Sequence, residues 1–128
     1  MVAEDDDRLA ALIESILQDD GRFVVVARAA NGVDAVRLAG DHRPDIVLMD
    51  IAMPGRDGIE ATRLIREEHG VHVVIYTGSD EFDDLARADE AGAAGFLHKD
   101  ALASPELADA LHVLHTNFTR GGADPAAD

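Results

Sequence analysis

The segment that most constrains the fold is the uninterrupted apolar run from Ile46 to Met49, which is bounded by Asp45 and Asp50. A strand with one face in water alternates apolar and polar residues, whereas this run offers no polar face. Strands buried on both faces are typical of parallel sheets that helices cover on both sides. We therefore expect an α/β fold with this run inside the sheet.

The rest of the chain alternates short apolar runs with amphipathic stretches. Further strands are predicted at 1–3, 23–27, 71–76 and 95–97, and helices near 9–17, 33–38, 59–65, 80–91 and 104–118. Five strand–helix repeats predict a doubly wound, five-stranded parallel sheet. Residues 1–118 are expected to form one domain, and the small, polar segment 119–128 is expected to be a flexible tail or a linker stub.

The composition limits the partners that this chain can bind directly. The 26 acidic and 11 basic side chains give a net charge of −15, so the chain is not expected to bind nucleic acid or an anionic membrane. A metal cation, or a partner with a basic face, is favoured. The sequence has no cysteine and no apolar stretch long enough for a signal peptide or a membrane span. We expect a cytoplasmic protein.

Polar side chains follow four of the predicted strands. Glu4 and Asp5 follow the first strand, and Asp50, Thr77 and Lys99 follow the third, fourth and fifth strands. Doubly wound sheets bind ligands at the carboxyl ends of their strands, so these side chains are expected at one edge. Carboxylates suit Mg²⁺, an amine can balance the charge of a phosphoryl group, and a carboxylate can form an acyl phosphate.

The segment Ile46–Gly58, which contains Asp50, resembles the phosphorylation loop of response-regulator receiver domains. Thr77 and Lys99 match the other two signature strand ends of that family, since 27 residues separate Asp50 from Thr77 and 22 separate Thr77 from Lys99. The resemblance covers the chain from Val2 to about Phe118. It implies a flavodoxin-like (βα)5 fold with the strand order 2-1-3-4-5.

The resemblance also implies a role for each site residue. Asp50 resembles the phosphoacceptor. Mg²⁺ binding is implied for Asp5, for Glu4 through water, and for the backbone carbonyl of Ala52. Phosphoryl binding and switching are implied for Lys99, Thr77 and Phe96. A receiver domain takes its phosphoryl group from a sensor histidine kinase and changes its partner-binding face. The resemblance therefore implies a signalling switch and not a turnover enzyme.

Two departures from the family pattern bear on the fold and the output. Only Met1–Ala3 precede the acidic pair, so either the start lies upstream or this first strand is shortened, and the sheet should be less stable or pair with another chain. Lys99 is followed by Asp100, where many receivers have proline. The segment resembles the subclass joined to helix-turn-helix outputs, so we expect transcription regulation through a homodimer or an output-protein partner.

Other interpretations of the same residues stay open at this point. The chain could be a pseudo-receiver, an interaction module that no longer uses phosphate. It could also be a Mg²⁺-dependent phosphohydrolase, although Ala52 stands where such enzymes place a second aspartate. Asp5 with its neighbours could simply cap the first helix, and Phe96 could be a core residue.

Overall fold

Strands and helices alternate along the whole chain in the computed structural model, which describes residues 1–51, 53, 58–78, 82–99 and 106–123. In chain order the elements are β1 (Val2–Ala3), α1 (Asp7–Asp20), β2 (Arg28–Ala29), α2 (Gly32–His42), β3 (Ile46–Asp50), α3 (Gly58–His69), β4 (His72–Thr77), α4 (Phe82–Glu90), β5 (Gly95–His98) and α5 (Glu106–Ala123).

The five strands form one parallel sheet in the order β2-β1-β3-β4-β5, which confirms the predicted fold class. Two apolar clusters cover its two faces. Met49 and Ile75 belong to the cluster that packs against α2 and α3, whereas Leu48 and Val74 belong to the one that packs against α1 and α5. The run Ile46–Met49 therefore has one set of side chains on each face, as its apolar sequence requires.

Capping residues fix where the first two helices begin and end. The Asp6 carboxylate accepts hydrogen bonds from the backbone N–H groups of Arg8 and Leu9, so Asp6 is the N-cap of α1. Gly21 ends that helix in the left-handed conformation with φ 86°. Asn31 caps α2, because its side-chain oxygen accepts a hydrogen bond from the N–H of Asp34.

The second strand is shorter than predicted and begins only after the predicted range, which the short first strand explains. A strand was expected at 23–27, but β2 is confined to Arg28–Ala29, opposite Val2–Ala3. Because β1 has two residues, the segment before Arg28 has almost no partner to bond with. A cavity of about 140 Å³ lies beside it, beneath β1, lined in part by Phe23, Val25, Ile46 and Leu48.

The last helix extends to Ala123, beyond its predicted end at Phe118. The division into a domain at 1–118 and a tail at 119–128 stays a prediction. None of the helices in the described part of the chain combines the length and the apolar character that a bilayer crossing requires.

The amino terminus of β1 is buried in the middle of the sheet. The Met1 amino group donates a hydrogen bond to the carbonyl of Ile46 at 2.9 Å. Burial lowers the pKa of the Met1 amino group from 8.0 to about 6, although the nearby charge of Asp45 partly opposes the shift. Keeping an ammonium in this place costs free energy, because the charged form loses its hydration.

We predict that the free energy of unfolding falls by about 2–3 kcal/mol as pH decreases from about 8 to about 6 in a chain that begins at Met1. Because the pKa of the amine is lower in the folded chain, the unfolded chain binds the proton at a higher pH than the folded chain does. The stability that this group contributes is therefore full above pH 8 and is lost towards pH 6. Denaturant unfolding at several pH values measures the effect. An N-terminally acetylated chain keeps its histidines but lacks the amine, so it should lose less stability; parallel curves for the two chains would contradict the prediction.

Candidate functional site

Three carboxylates meet at the carboxyl edge of the sheet. Asp50 ends β3, and Glu4 and Asp5 follow β1, its neighbour in the sheet. Parallel pairing places the ends of these two strands side by side. One carboxylate oxygen from each of the three residues lies within 4.8 Å of the others. The structure therefore brings together the acidic residues that the sequence predicted to converge.

The three carboxylates differ in their exposure to solvent. Glu4 and Asp50 are buried, with 1% and 2% of their surface exposed, whereas Asp5 is exposed. The residue that caps α1 is Asp6, the neighbour of Asp5, and Asp5 itself is not the cap. Asp5 lies between a cap residue and a buried glutamate, at the rim of the acidic cluster.

Glu4 is held by two hydrogen bonds, one to each carboxylate oxygen. The Tyr76 hydroxyl donates to Oε1 at 2.7 Å, and the backbone N–H of Asp6 donates to Oε2 at 2.9 Å. Burial raises the pKa of Glu4 above its usual range, and the charge of Asp50 acts in the same direction. The two hydrogen bonds oppose that shift, because both donors favour the carboxylate.

Lys99 places a positive charge beside the acidic cluster. Its ammonium Nζ lies 3.6 Å from Oδ2 of Asp50, and it is the only lysine of the sequence. The same Nζ lies 5.8 Å from the centre of the Tyr76 ring, within the range of a cation–π contact. The Lys99 side chain is 35% exposed, so an incoming ligand can reach it.

Thr77 and Phe96 share one face of the sheet, next to this group. Thr77 ends β4 and is buried, whereas Phe96 on the edge strand β5 is 39% exposed. Thr77 pairs with His98 and Ile75 pairs with Phe96, so the side chains of Thr77 and Phe96 point to the same side. The interpretation of Phe96 as a core residue does not fit its exposure. Its predicted part in a switch stays a prediction.

The chemistry of the cluster fits a divalent cation. Mg²⁺ prefers oxygen ligands and is usually held by one or two carboxylates together with water and phosphate. Glu4, Asp5 and Asp50 supply such oxygens, and their mutual repulsion favours a cation between them. Ala52, whose carbonyl was predicted to be a further ligand, lies outside the described residues.

Tyr76 is the residue of this site that the sequence analysis missed. It had been assigned only to the apolar strand before Thr77. The pairing of β3 with β4 could have revealed it. Tyr76 pairs with Asp50 in the sheet, and the side chains of paired residues in parallel strands face the same side. A tyrosine that is buried beside an aspartate needs a partner for its hydroxyl.

The sheet order and the site together define a class of proteins: doubly wound α/β domains with an acidic cluster and a lysine at the carboxyl edge. The response regulator receiver domain model matches residues 1–112. The chain belongs to this family, whose members are signalling domains of two-component response regulators.

Known proteins of this family resemble the chain in sequence and in structure. It is 36% identical to the chemotaxis protein CheY of Halobacterium salinarum over 87% of its own length and 91% of that protein. It is 40% identical to the response regulator GacA of Pseudomonas aeruginosa over 79% of the chain, but it spans only 48% of GacA. The receiver domain of the NarL response regulator from Mycobacterium tuberculosis superimposes with a TM-score of 0.84 at 31% identity, covering 90% of this chain and 93% of that domain.

Gly58, the first residue of α3, lies close against the backbone at the end of β3. The N–H of Gly58 donates to the carbonyl of Ile51 at 3.2 Å. A methyl group on Gly58 would lie 2.8 Å from the Cα of Ile51 and would also meet the backbone carbonyl of Asp50. Since those contacts are with backbone atoms, they cannot be relieved by a side-chain rotation.

We predict that Gly58→Ala destabilises the domain by about 1–3 kcal/mol, because the added methyl displaces the backbone that carries Asp50. Thermal or denaturant unfolding measures the effect. Gly78→Ala is the matched control: among the described residues its added methyl meets the Lys99 side chain, at 3.6 Å, which is an ordinary contact. Equal stability of the two variants would show that the backbone around Gly58 can accommodate a methyl group, contrary to this prediction.

Proposed function

We propose that this receiver domain is a phosphoacceptor switch that takes a phosphoryl group onto Asp50 from a sensor histidine kinase in the presence of Mg²⁺. The observation that carries the proposal is the position of Asp50, a buried carboxylate at the end of β3 with Lys99 Nζ 3.6 Å away and two further carboxylates beside it. A lone aspartate at a strand end would carry no such conclusion. The combination of cation-binding oxygens, an acceptor carboxylate and one amine supports phosphoryl transfer.

The transfer exchanges one bond for another at phosphorus. A carboxylate oxygen of Asp50 forms a bond to the phosphorus atom while the bond from phosphorus to the imidazole nitrogen of the kinase breaks. The imidazole keeps the electron pair and takes up a proton. The Lys99 ammonium already faces Asp50, so it can follow the phosphoryl oxygens without a large movement. Mg²⁺ would be held by Asp5 and Asp50, and by Glu4 through water, and would supply further positive charge.

The switch that follows is a local electrostatic change. Phosphorylation replaces the single negative charge of the Asp50 carboxylate with a phosphoryl group that carries about two negative charges and three acceptor oxygens. Lys99 and the Thr77 hydroxyl can turn towards these oxygens, and Phe96 lies on the same sheet face as Thr77. The face formed by α4, β5 and α5 would then change its partner preference.

The downstream partner is proposed from the relatives and the sequence. GacA is a response regulator about twice the length of the matched region, and PdtaR of Mycobacterium tuberculosis, 36% identical over 77% of this chain, is named a transcriptional regulatory protein. We propose a homodimer or an output protein as the partner, with transcription regulation as the outcome. Direct contact of this domain with nucleic acid is disfavoured by its net charge of −15.

We predict that incubation with Mg²⁺ and acetyl phosphate adds one phosphoryl mass to the chain. Intact mass spectrometry measures it, with and without a chelator. Asp50→Asn should abolish the addition, because the amide cannot form the acyl phosphate. Asp45→Asn is the matched control, since it alters the residue just before the same strand and should keep the label. Labelling that persists in Asp50→Asn would contradict the assignment of Asp50 as the acceptor. No labelling of the wild type would contradict the proposed function and favour a pseudo-receiver.

We predict that Thr77→Ala still takes up the phosphoryl group but loses the phosphorylation-dependent change around Phe96. The reason is that the mutant retains Asp50 and Lys99 and lacks only the hydroxyl that binds the phosphoryl oxygens. NMR of the phenylalanine rings before and after phosphorylation measures the change, and Thr77→Ser should retain it. A full response in Thr77→Ala would exclude the hydroxyl as the link.

A further inference from the structure

Tyr76 occupies an unusual place for a polar aromatic residue. It is completely buried on β4, on the sheet face that α1 and α5 cover. Its hydroxyl lies 2.7 Å from Oε1 of Glu4 and 3.2 Å from the carbonyl oxygen of Ala3. Because a hydroxyl has one proton, the shorter contact to the carboxylate is the stronger bond. Tyr76 thus reaches across β3 to the strand end that carries the acidic pair.

The hydrogen bond from Tyr76 restricts the orientation of the Glu4 carboxylate. The other oxygen of Glu4 accepts the N–H of Asp6, which also fixes the start of α1. With a donor on each oxygen, the carboxylate cannot rotate without losing a buried hydrogen bond. A group so held is suited to the outer shell of a metal site, where it orients water and contributes charge.

The Tyr76 ring also lies close to Lys99, on the side of the site away from Glu4. The ammonium of Lys99 lies over the ring at 5.8 Å from its centre, and 3.6 Å from Asp50. One side chain on the strand between them therefore contacts the cationic residue and the most deeply buried acid of the cluster. Burial raises the pKa of Tyr76, as do its hydrogen bond to Glu4 and the charges of Glu4 and Asp50, so its hydroxyl stays a donor.

We propose that Tyr76 is a positioning residue for the Mg²⁺ site: its hydroxyl holds the Glu4 carboxylate beside Asp5 and Asp50 and thereby strengthens cation binding. The inference rests on the proposed function, in which this cluster binds Mg²⁺. It adds a residue that is neither a metal ligand nor a contact of the phosphoryl group. Tyr76→Phe removes the single hydroxyl and leaves the ring beneath Lys99 in place.

The first test measures Mg²⁺ affinity by titration calorimetry on the wild type and on Tyr76→Phe. We expect the dissociation constant to rise about tenfold in the variant, as is typical when a group that orients a metal-site residue is lost. Thr62→Val is the matched control, because it also removes one buried hydroxyl, which donates to the Gly58 carbonyl at 2.7 Å. Its Mg²⁺ affinity should stay within about twofold of the wild type even if its stability falls.

A double-mutant cycle separates positioning from a general loss of stability. In a Glu4→Gln background, where no carboxylate remains to be held, adding Tyr76→Phe should change the Mg²⁺ affinity by less than about twofold. If Tyr76→Phe does not fold, Glu4→Gln alone decides: it should weaken Mg²⁺ binding about tenfold or more, and unchanged affinity would overturn the proposal.

The intact protein offers a second readout, because Tyr76 is its only tyrosine and the sequence has no tryptophan. Tyrosine emission therefore reports on this one side chain, and a phenol bonded to a carboxylate is sensitive to the charge of that carboxylate. Titration with Mg²⁺ should change the emission with the midpoint found by calorimetry. Emission that stays constant while calorimetry shows saturation would overturn the proposal.

The outcomes distinguish this inference from the proposed function. A wild type that binds no Mg²⁺ and takes no phosphoryl group from acetyl phosphate would refute both. A wild type that binds Mg²⁺ and is phosphorylated, with Tyr76→Phe equal to it in Mg²⁺ affinity, would refute only the role of Tyr76. A tenfold loss in Tyr76→Phe that vanishes in the Glu4→Gln background would support both.

Discussion

The repulsion among three carboxylates at one edge of the sheet is the constraint on which the rest of the site depends. Parallel pairing of β1 with β3 forces Glu4, Asp5 and Asp50 together, with their oxygens within 4.8 Å. Two of the three are buried, where an unbalanced charge is costly. The surrounding residues offset this cost in different ways. Asp50 has the ammonium of Lys99, Glu4 has two hydrogen-bond donors, and Asp5 remains in solvent.

These compensations join four strands into one network. Lys99 follows β5, Tyr76 and Thr77 lie on β4, Asp50 ends β3, and Glu4 follows β1. A change in charge at Asp50 would therefore act on both neighbours of β3 in the sheet. The arrangement offers a physical route from the Asp50 carboxylate to the exposed β5 edge, where Phe96 lies. Such a route is effective because packed strands transmit small displacements instead of absorbing them.

The sequence predicted the architecture and the acidic cluster because both follow from where the apolar strands lie and where they end. An apolar run without a polar face implies a covered parallel sheet, and the carboxyl ends of parallel strands meet at one edge. The extent of β2 was predicted wrongly, since local β-propensity at 23–27 cannot reveal that the neighbouring strand has only two residues. Which of the acidic residues around Asp5 caps α1 could not be predicted from the sequence, because it depends on where the first turn begins. Tyr76 was missed because a lone tyrosine in an apolar strand resembles ordinary core until its register with Asp50 is known.

A crystal structure of the chain with Mg²⁺ and beryllium fluoride, a mimic of the phosphoryl group, would test the central claim most directly. We predict the fluoride adduct on Asp50, the Lys99 ammonium in contact with it, and the cation against Asp5 and Asp50. Glu4 should remain bonded to Tyr76 and reach the cation only through water. An adduct on another carboxylate, or a cation held away from Asp50, would contradict the assignment of this cluster as the phosphoryl-accepting site.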